Sequence, residues 1–520
     1  MATTQFRVLE VVDPATLEPV GSVPATHPAA VQEAVAEARL AQERWAETPF
    51  SQRAALLGRV ATVVLDSFDE LAATITSEVG KPLAESAASD LLPALETIVW
   101  CGRNAGKALR QEPVPGPPFL RHKRGRLVHE PLGVVAGLTP WNFPLSIPLG
   151  LAAAAVAAGN AIVLKPSELA PLTGAWVERA FREAGAPPAL VRVVQGEADV
   201  GSALVAANGV ARVVFTGSPE VGKQVARAAA ERLVPVTLEL GGKDPMLVFA
   251  DADFDRAVDG ALWASFANCG QVCAGAERIY VERSLYEPFL EELARRARGL
   301  RIGAGNAAGT DLGPLVSESR RDRVESLVAD ALEAGAELRA GGRRPETALS
   351  GWFYEPTVLA GEQGRARDEE IFGPVVCVAA FDGEREAIRR ANDSRFALGA
   401  SVWTRDGERA GRVAAALRAG MVWTNDHAYS YGSGGAAWGG RPGYGRTHSR
   451  HGLYELTDVK YVDADPGRRA VPWWYPYDEA LADGFRAVSE LLYGEGVGRK
   501  ARALWRGRRG VASLARRYLR

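Results

Sequence analysis

The feature that most constrains this chain is a change of hydrophobic period at Gly133. Before it, residues 29 to 111 read as helices. The runs "AAVQEAVAEARLAQERWAE" and "SQRAALLGRVATVVLDSFDELAATITSEVG" repeat apolar residues at three- and four-residue spacings, and Gly80 and Pro82 close the second. From Gly133 onward, short β-rich runs alternate with helical stretches: "GVVAGLT", "AIVLKP", "VRVVQG", "VARVVFTGS" and "PVTLELGG". Alternation of this kind predicts a parallel sheet with helices on both faces. A second series follows, with "DPMLVFADAD", "ERIYVE", a long helix through Leu300, then "EPTVLAG", "PVVCVAAF", "GASVWT" and "GMVWTND". The expected fold class is therefore α/β with two doubly wound domains, and 520 residues are too many for one ordinary core.

Composition narrows the function classes. A formal net charge of −2 gives no reason to expect nucleic acid as a partner. Four cysteines in 520 residues are not a disulfide scaffold, and the N-terminus "MATTQFRVLEVVDPATLEPVG" carries no secretion signal, so a cytoplasmic protein is expected. The most membrane-like stretch, residues 148 to 164, is Ala-rich, is broken at Gly159-Asn160 and falls short of the ~20 residues a spanning helix needs. It reads as a buried helix followed by the strand "AIVL".

Several short stretches carry chemistry. In "FANCGQVCAG", Cys269 and Cys273 lie four residues apart among glycines. A zinc site would need two more ligands, and the sequence holds no second cysteine pair and no close histidine pair. Cys273 follows Gly270 and Gln271, and a position opening or following a helix would favour its thiolate, although a cysteine taken alone is more often a small buried hydrophobe. "LELGGKDP" puts Glu239 at a strand end, as a general base or as an ion-paired loop acid. "TPWNFP" fixes Asn142 between two rings, where its amide could donate to a developing oxyanion or serve the turn itself. "FTGSPEVGK" runs strand, Gly217, Ser218, Gly222, helix, a layout that turns a helix N-terminus toward a phosphate, but without the full dinucleotide spacing. "VLKPSE" ends a parallel strand with Lys165, Ser167 and Glu168, placed for ribose hydroxyls, and "EEIFGPVV" adds Glu370 before an apolar corner.

Taken together and in this order, "TPWNFP", "VLKPSE", "FTGSPEVGK", "LELGGK", "GQVCAG" and "EEIFGPV" resemble the NAD(P)-dependent aldehyde dehydrogenases over about residues 8 to 465. The resemblance implies that family's fold, two doubly wound α/β domains with a small β oligomerisation arm. Residues 1–115 and 135–239 would bind the cofactor, 116–134 and 446–465 would form the arm, 240–445 would be the catalytic domain, and 466–520 would be a basic extension. It implies Cys273, not Cys269, as nucleophile, Asn142 with the Cys273 N–H as oxyanion site, and Glu239 as the base that activates water. Relatives that pass the acyl group to coenzyme A typically lack this glutamate, so the product expected is the free acid. For the cofactor it implies Lys165 and Glu168 at the adenosine ribose, Ser218 and the helix after it at the pyrophosphate, and Glu370 and Phe372 at the nicotinamide riboside, with Thr139, Trp141, Ser167, Gly217, Gly222 and Leu240 also on the cofactor. A carboxylate at Glu168 should repel a 2′-phosphate, so NAD is expected, with NADP possible. Two segments, "FLRHKRGRLVHEP" and "LTDVKYV", match those by which family members build dimers or tetramers.

Two departures from the family pattern remain. The loop "HAYSYGSGGAAWGG" puts Tyr429 and Tyr431 where the substrate funnel lies, with Ile147, Gly150 and Val272 nearby, which predicts an apolar or aromatic aldehyde as substrate; tyrosines that merely pack the loop are the alternative. The last 55 residues have no counterpart in most relatives. From Arg499 they hold nine basic residues and no acid, and Leu504, Val511 and Tyr518 recur at seven-residue spacing opposite the arginines. That pattern fits a helix lying on an anionic membrane, or a surface helix docked on the enzyme.

Overall fold

The computed structural model describes residues 7–117, 120, 122–347, 349–428, 432–467, 471 and 473–519. The chain divides into two compact units, one of residues up to 110 and 129–458, the other of residues 111–128 and 459–520.

In the first unit both predicted β series form parallel sheets. The five-stranded sheet runs Val191–Val193, Ala161–Lys165, Val134–Leu138, Val210–Thr216, Val236–Glu239 in space. All its pairings are parallel, and Val134, Val135, Ala136, Ile162, Val163, Leu164 and Val213 are wholly buried. Burial on both faces is why these strands read as continuous apolar runs rather than alternating ones. The register sets Leu138 beside Lys165 and Phe215, and Thr216 beside Glu239, so the carboxyl ends of four strands gather on one edge. The seven-stranded sheet runs Glu337–Ala340, Thr357–Ala360, Val375–Phe381, Ala276–Glu282, Asp244–Val248, Gly399–Trp403, Met421–Thr424. Only Glu337–Ala340 is antiparallel, an edge strand that the sequence pattern does not mark. The chain leaves the first sheet at Glu239 and enters the second at Asp244, so the C-terminal edge of one meets the N-terminal edge of the other across four residues.

The Ala-rich stretch is the helix Ser146–Ala158, closed by Gly159 at φ 94°, and the strand Ala161–Lys165 follows it. The long helix read over residues 51 to 80 is two, Phe50–Asp66 and Phe68–Val79, because Ser67 leaves helical geometry at φ −105°, ψ 17°. An N-terminal hairpin, Val8–Val12 with Pro19–Pro24, was not expected from the pattern.

Thr457–Ala464, Arg124–Pro131 and Glu112–Val114 make a three-stranded sheet; the first two lie in the segments expected to form the oligomerisation arm, and the third comes from just before them, in the stretch expected to belong to the cofactor domain. The basic extension folds into three helices, Glu479–Tyr493, Val497–Arg506 and Arg508–Leu519. The first and third cross at glycines: a Cβ on Gly484 would stand 2.5 Å from the Gly510 carbonyl oxygen, so the two backbones touch. The expected single amphipathic helix carrying Leu504, Val511 and Tyr518 is not present. The chain breaks at Gly507, Leu514 is buried in the helix crossing, and Leu504 points out to solvent. The Tyr518 side chain lies outside the described residues. Among the described residues no helix is long and apolar enough to cross a membrane.

Candidate active site

Glu239, Cys273 and Asn142 come together where the two sheet edges meet. Glu239 ends the strand Val236–Glu239 and is 5% exposed. Burial pushes its carboxyl up to about 8, against the opposing pull of Arg446 and of hydrogen bonds from Thr447, whose Oγ1 lies 3.4 Å from Oε1. The carboxylate of a group with that affinity can accept a proton near neutral pH. Gly241 and Gly242 follow because side chains would not fit: a Cβ on the first would strike the Glu370 carboxylate, and on the second the Cys273 carbonyl.

Cys273 lies in the turn between the helix Phe254–Phe266 and the strand Ala276–Glu282. Of the two expected placements, opening or following a helix, the second holds, and because a strand comes next no helix N-terminus lies at Cys273 to favour its thiolate. Its acidity is instead opposed by burial first, then by the Glu370, Asp244 and Glu239 carboxylates, all of which hold the thiol protonated well above the ordinary cysteine range. The sulfur therefore needs a nearby base, and Glu239 and Glu370 line the cavity beside it. The turn is fixed by an uncommon backbone: Asn268, Cys269 and Gly270 have φ of 51°, 55° and 67°, three successive left-handed residues. Cys269 is thus not one helical turn before Cys273 but buried in the core of the second sheet. The Gln271 side chain, 1% exposed, donates to the Asn268 carbonyl at 3.0 Å and accepts from Val316 N–H at 3.0 Å. Behind the turn His427 is neutral, since burial pulls it down to about 4. Only an N–H can donate to a carbonyl, so Nε2 carries the proton toward Ala274 O at 2.6 Å and Nδ1 accepts from Ser401 Oγ at 3.0 Å.

Asn142 reaches the same turn from the other sheet. Its Nδ2 donates to the Gln271 carbonyl at 2.9 Å, which leaves one N–H free for an incoming oxygen. Its own carbonyl accepts from Lys81 Nζ at 2.9 Å and from Asn268 Nδ2 at 3.0 Å. Lys81 pairs with Asp90 at 2.5 Å with both side chains wholly buried, and Asp90 Oδ1 accepts from the Leu145 and Ser146 amides that open the next helix. This pair was missed at the sequence level. A second buried pair, Lys243 with Glu277 at 2.6 Å, does the same for the far wall: Glu277 accepts from the Ile371 and Phe372 amides and so holds Phe372 at φ 54°.

Two cavities open from this junction. One, of about 430 Å³, is lined by Thr139, Trp141, Asn142, Lys165, Ser167, Glu168, Gly217, Ser218, Leu240, Glu370 and Phe372. Of the expected cofactor residues, Gly222 alone does not line it. It lies under Leu240, where a Cβ would stand 2.6 Å from Cδ2, so its smallness serves packing rather than contact. Ser218 caps the helix Pro219–Ala230 by accepting from Val221 N–H, leaving the open helix end toward the cavity. Lys165 and Glu168 pair at 3.0 Å on its rim. Trp141 and Phe372 meet edge to face at 5.7 Å. Thr139 Oγ1 is buried in this wall without a partner, as expected of a group waiting for a ligand. The donor set fits a dinucleotide: a helix end for the pyrophosphate, a Lys–Glu pair for a ribose, and carboxylate plus ring for the other half. Arg320 also lines this cavity and was not foreseen.

The other cavity, of about 500 Å³, contains Ile147, Gly150 and Val272 as expected, with Trp100, Phe143, Trp263 and Trp438 and the carboxylates of Glu85 and Glu96. Tyr429 and Tyr431 lie outside the described residues. The two cavities share Ile147, Thr216, Glu239, Leu240 and Cys273, so the thiol can be approached from both sides.

The model of the aldehyde dehydrogenase family matches residues 1–462. The chain belongs to that family. Betaine aldehyde dehydrogenase of Bacillus subtilis is 39% identical over 453 residues, covering 85% of this chain and 91% of that protein. Betaine aldehyde dehydrogenase of Sinorhizobium fredii is 38% identical over 477 residues, covering 90% and 96%. Among solved structures, the NAD+ complex of an aldehyde dehydrogenase from Bacillus cereus aligns with a TM-score of 0.85 at 34% identity, over 88% of this chain and 94% of that one. A Staphylococcus aureus betaine aldehyde dehydrogenase, in complex with NAD+ and with a BME-modified cysteine, aligns with a TM-score of 0.86 at 34% identity, over 90% and 96%. This aldehyde dehydrogenase uses NAD. The apolar or aromatic substrate read from the sequence finds no support among these relatives.

Proposed function

We propose that this enzyme oxidises betaine aldehyde, or a close quaternary-ammonium aldehyde, to the free carboxylic acid. The observation that carries this reading is the wall of the larger cavity, where Trp100, Trp263, Trp438 and Phe143 stand with Glu85 and Glu96 in front of Cys273. Aromatic faces attract a quaternary ammonium through the ring quadrupole, each well-placed face contributing about 0.5–2 kcal/mol, and relatives named for betaine aldehyde share more than a third of the residues.

In this reading Cys273 Sγ attacks the carbonyl carbon while a neighbouring carboxylate, Glu239 in the first instance, takes the thiol proton. The free Asn142 N–H and the Cys273 N–H hold the resulting alkoxide. Bound NAD supplies the hydride acceptor, leaving a thioester on Cys273. Once the first proton has passed from Glu239 to solvent, the regenerated carboxylate draws a proton from water, the hydroxide oxygen bonds to the acyl carbon, and the C–S bond breaks, freeing the acid and a thiolate that Glu239 reprotonates. A homo-oligomer built through the three-stranded sheet, working in the cytoplasm, completes the reading; the four free cysteines suit a reducing compartment.

The test compares kcat/KM for betaine aldehyde with that for tert-butylacetaldehyde, its neutral isostere of nearly the same shape. At least about tenfold preference for the cation is expected from one to two effective aromatic contacts. Equal or better turnover of the neutral compound would end the onium reading and favour a neutral apolar aldehyde, which the same walls would also admit.

A further inference from the structure

The basic extension is not used by any step of the chemistry, and its middle helix faces the wrong way for a docked surface helix. In Val497–Arg506, Ala503 is the buried residue, turned toward the other two helices of the extension. At 100° per residue, Val497, Ala501, Leu504 and Trp505 share one stripe well away from Ala503. That apolar stripe is in solvent: Val497 is 86%, Trp505 70% and Leu504 47% exposed. A helix that only packed on its neighbours would turn this stripe inward.

Charge surrounds it. Lys500 and Arg502 flank the stripe on either side, and Arg508 stands over the Trp505 ring at 5.4 Å. Lys500, Arg502, Arg506, Arg508 and Arg509 make no ion pair among the described residues. Residues 466–520 hold twelve basic and five acidic side chains, whereas the chain as a whole is slightly acidic, so positive charge is concentrated here. The close contact of Gly484 with Gly510 binds the outer helices together, which keeps the stripe displayed.

We propose that this face is a peripheral binding surface for an anionic lipid bilayer. The stripe would enter the headgroup boundary, Trp505 at its level, while Lys500, Arg502 and the neighbouring arginines meet lipid phosphates and carboxylates. Nucleic acid would use the arginines but would leave Val497 and Leu504 in water, and the lipid surface alone accounts for both halves of the face.

The experiment is co-sedimentation of the full-length enzyme with phosphatidylcholine vesicles, with and without phosphatidylserine, at low and high salt. Binding is expected only with phosphatidylserine, falling as salt rises. Leu504→Ser/Trp505→Ser and Lys500→Glu/Arg502→Glu should each weaken it by about tenfold or more, with aldehyde oxidation unchanged. Three results would overturn the proposal: no sedimentation with phosphatidylserine vesicles, sedimentation that both variants retain, or a drop in oligomer mass in Leu504→Ser/Trp505→Ser without lipid, which would make the face a contact between subunits.

Discussion

Replacing Glu239 by glutamine keeps shape and removes the group to which we assign the role of base. Burial holds the native carboxyl at about 8, so at pH 7 about one-tenth of it is carboxylate and at pH 9 about nine-tenths. The sign is that of a base: its active form grows as pH rises through the raised value. If thioester hydrolysis limits turnover, steady-state kcat should therefore climb about tenfold between those pH values. In Glu239→Gln it should fall by about 10²- to 10⁴-fold, the usual range for a positioned base, and lose that rise. The informative assay is stopped-flow absorbance of NADH, which separates a first fast turnover from the steady rate. A base needed only for hydrolysis predicts a retained burst followed by a near-arrested steady phase. A base needed also for the Cys273 proton predicts loss of the burst as well. Refutation would be a Glu239→Gln enzyme whose steady rate stays within about threefold of the parent with the same pH profile.

Lys81→Met should leave Asp90 charged and unpaired in a dry interior at a cost of about 3–5 kcal/mol; thermal unfolding and kcat should both drop, and adding Asp90→Leu should recover stability but not kcat. A double variant no more stable than the single would contradict that account. Glu168→Gln removes the carboxylate on the cofactor rim, so kcat/KM for NADP should rise relative to NAD by about tenfold or more, and an unchanged ratio would show that the 2′ position is not read there. His427→Gln keeps a donor for Ala274 O and should be tolerated, whereas His427→Leu strands that carbonyl and should lower the thermal midpoint by an amount equivalent to about 1–3 kcal/mol. Equal stability of the two would remove the hydrogen bond from the argument.

The parallel strands were legible because a strand buried on both faces has no alternative to a continuous apolar run, as in Ala161–Lys165, all of it buried. The site residues were legible because they occupy strand ends and turns that glycine and proline punctuate. What stayed hidden depends on contacts between distant segments. Lys81 reads as a residue after a helix stop, and nothing local says that it holds a carbonyl 61 positions away. Trp100 reads as one more apolar residue of an amphipathic helix, though it faces the cavity. Gly222 was assigned to the cofactor because a glycine near a helix start suits a phosphate, whereas the space it saves is taken by Leu240. No helix N-terminus lies at Cys273 because the chain passes from the helix ending at Phe266 through left-handed residues Asn268 to Gly270 into the strand Ala276–Glu282, a path that only glycine at the third position announces. In the extension, heptad spacing was read as one helix, but Gly507 lets the chain turn and spends Leu514 on the helix crossing.

The central claim is that Cys273 carries the acyl group between oxidation and hydrolysis. The parent enzyme mixed with betaine aldehyde and NAD, quenched in acid during the first turnover and analysed by peptide mass spectrometry, should show the mass of the thioester-linked acyl group on the peptide containing Cys273, confined to that sulfur. NADH formed with no adduct on Cys273, or an adduct on Cys269 instead, would contradict the account.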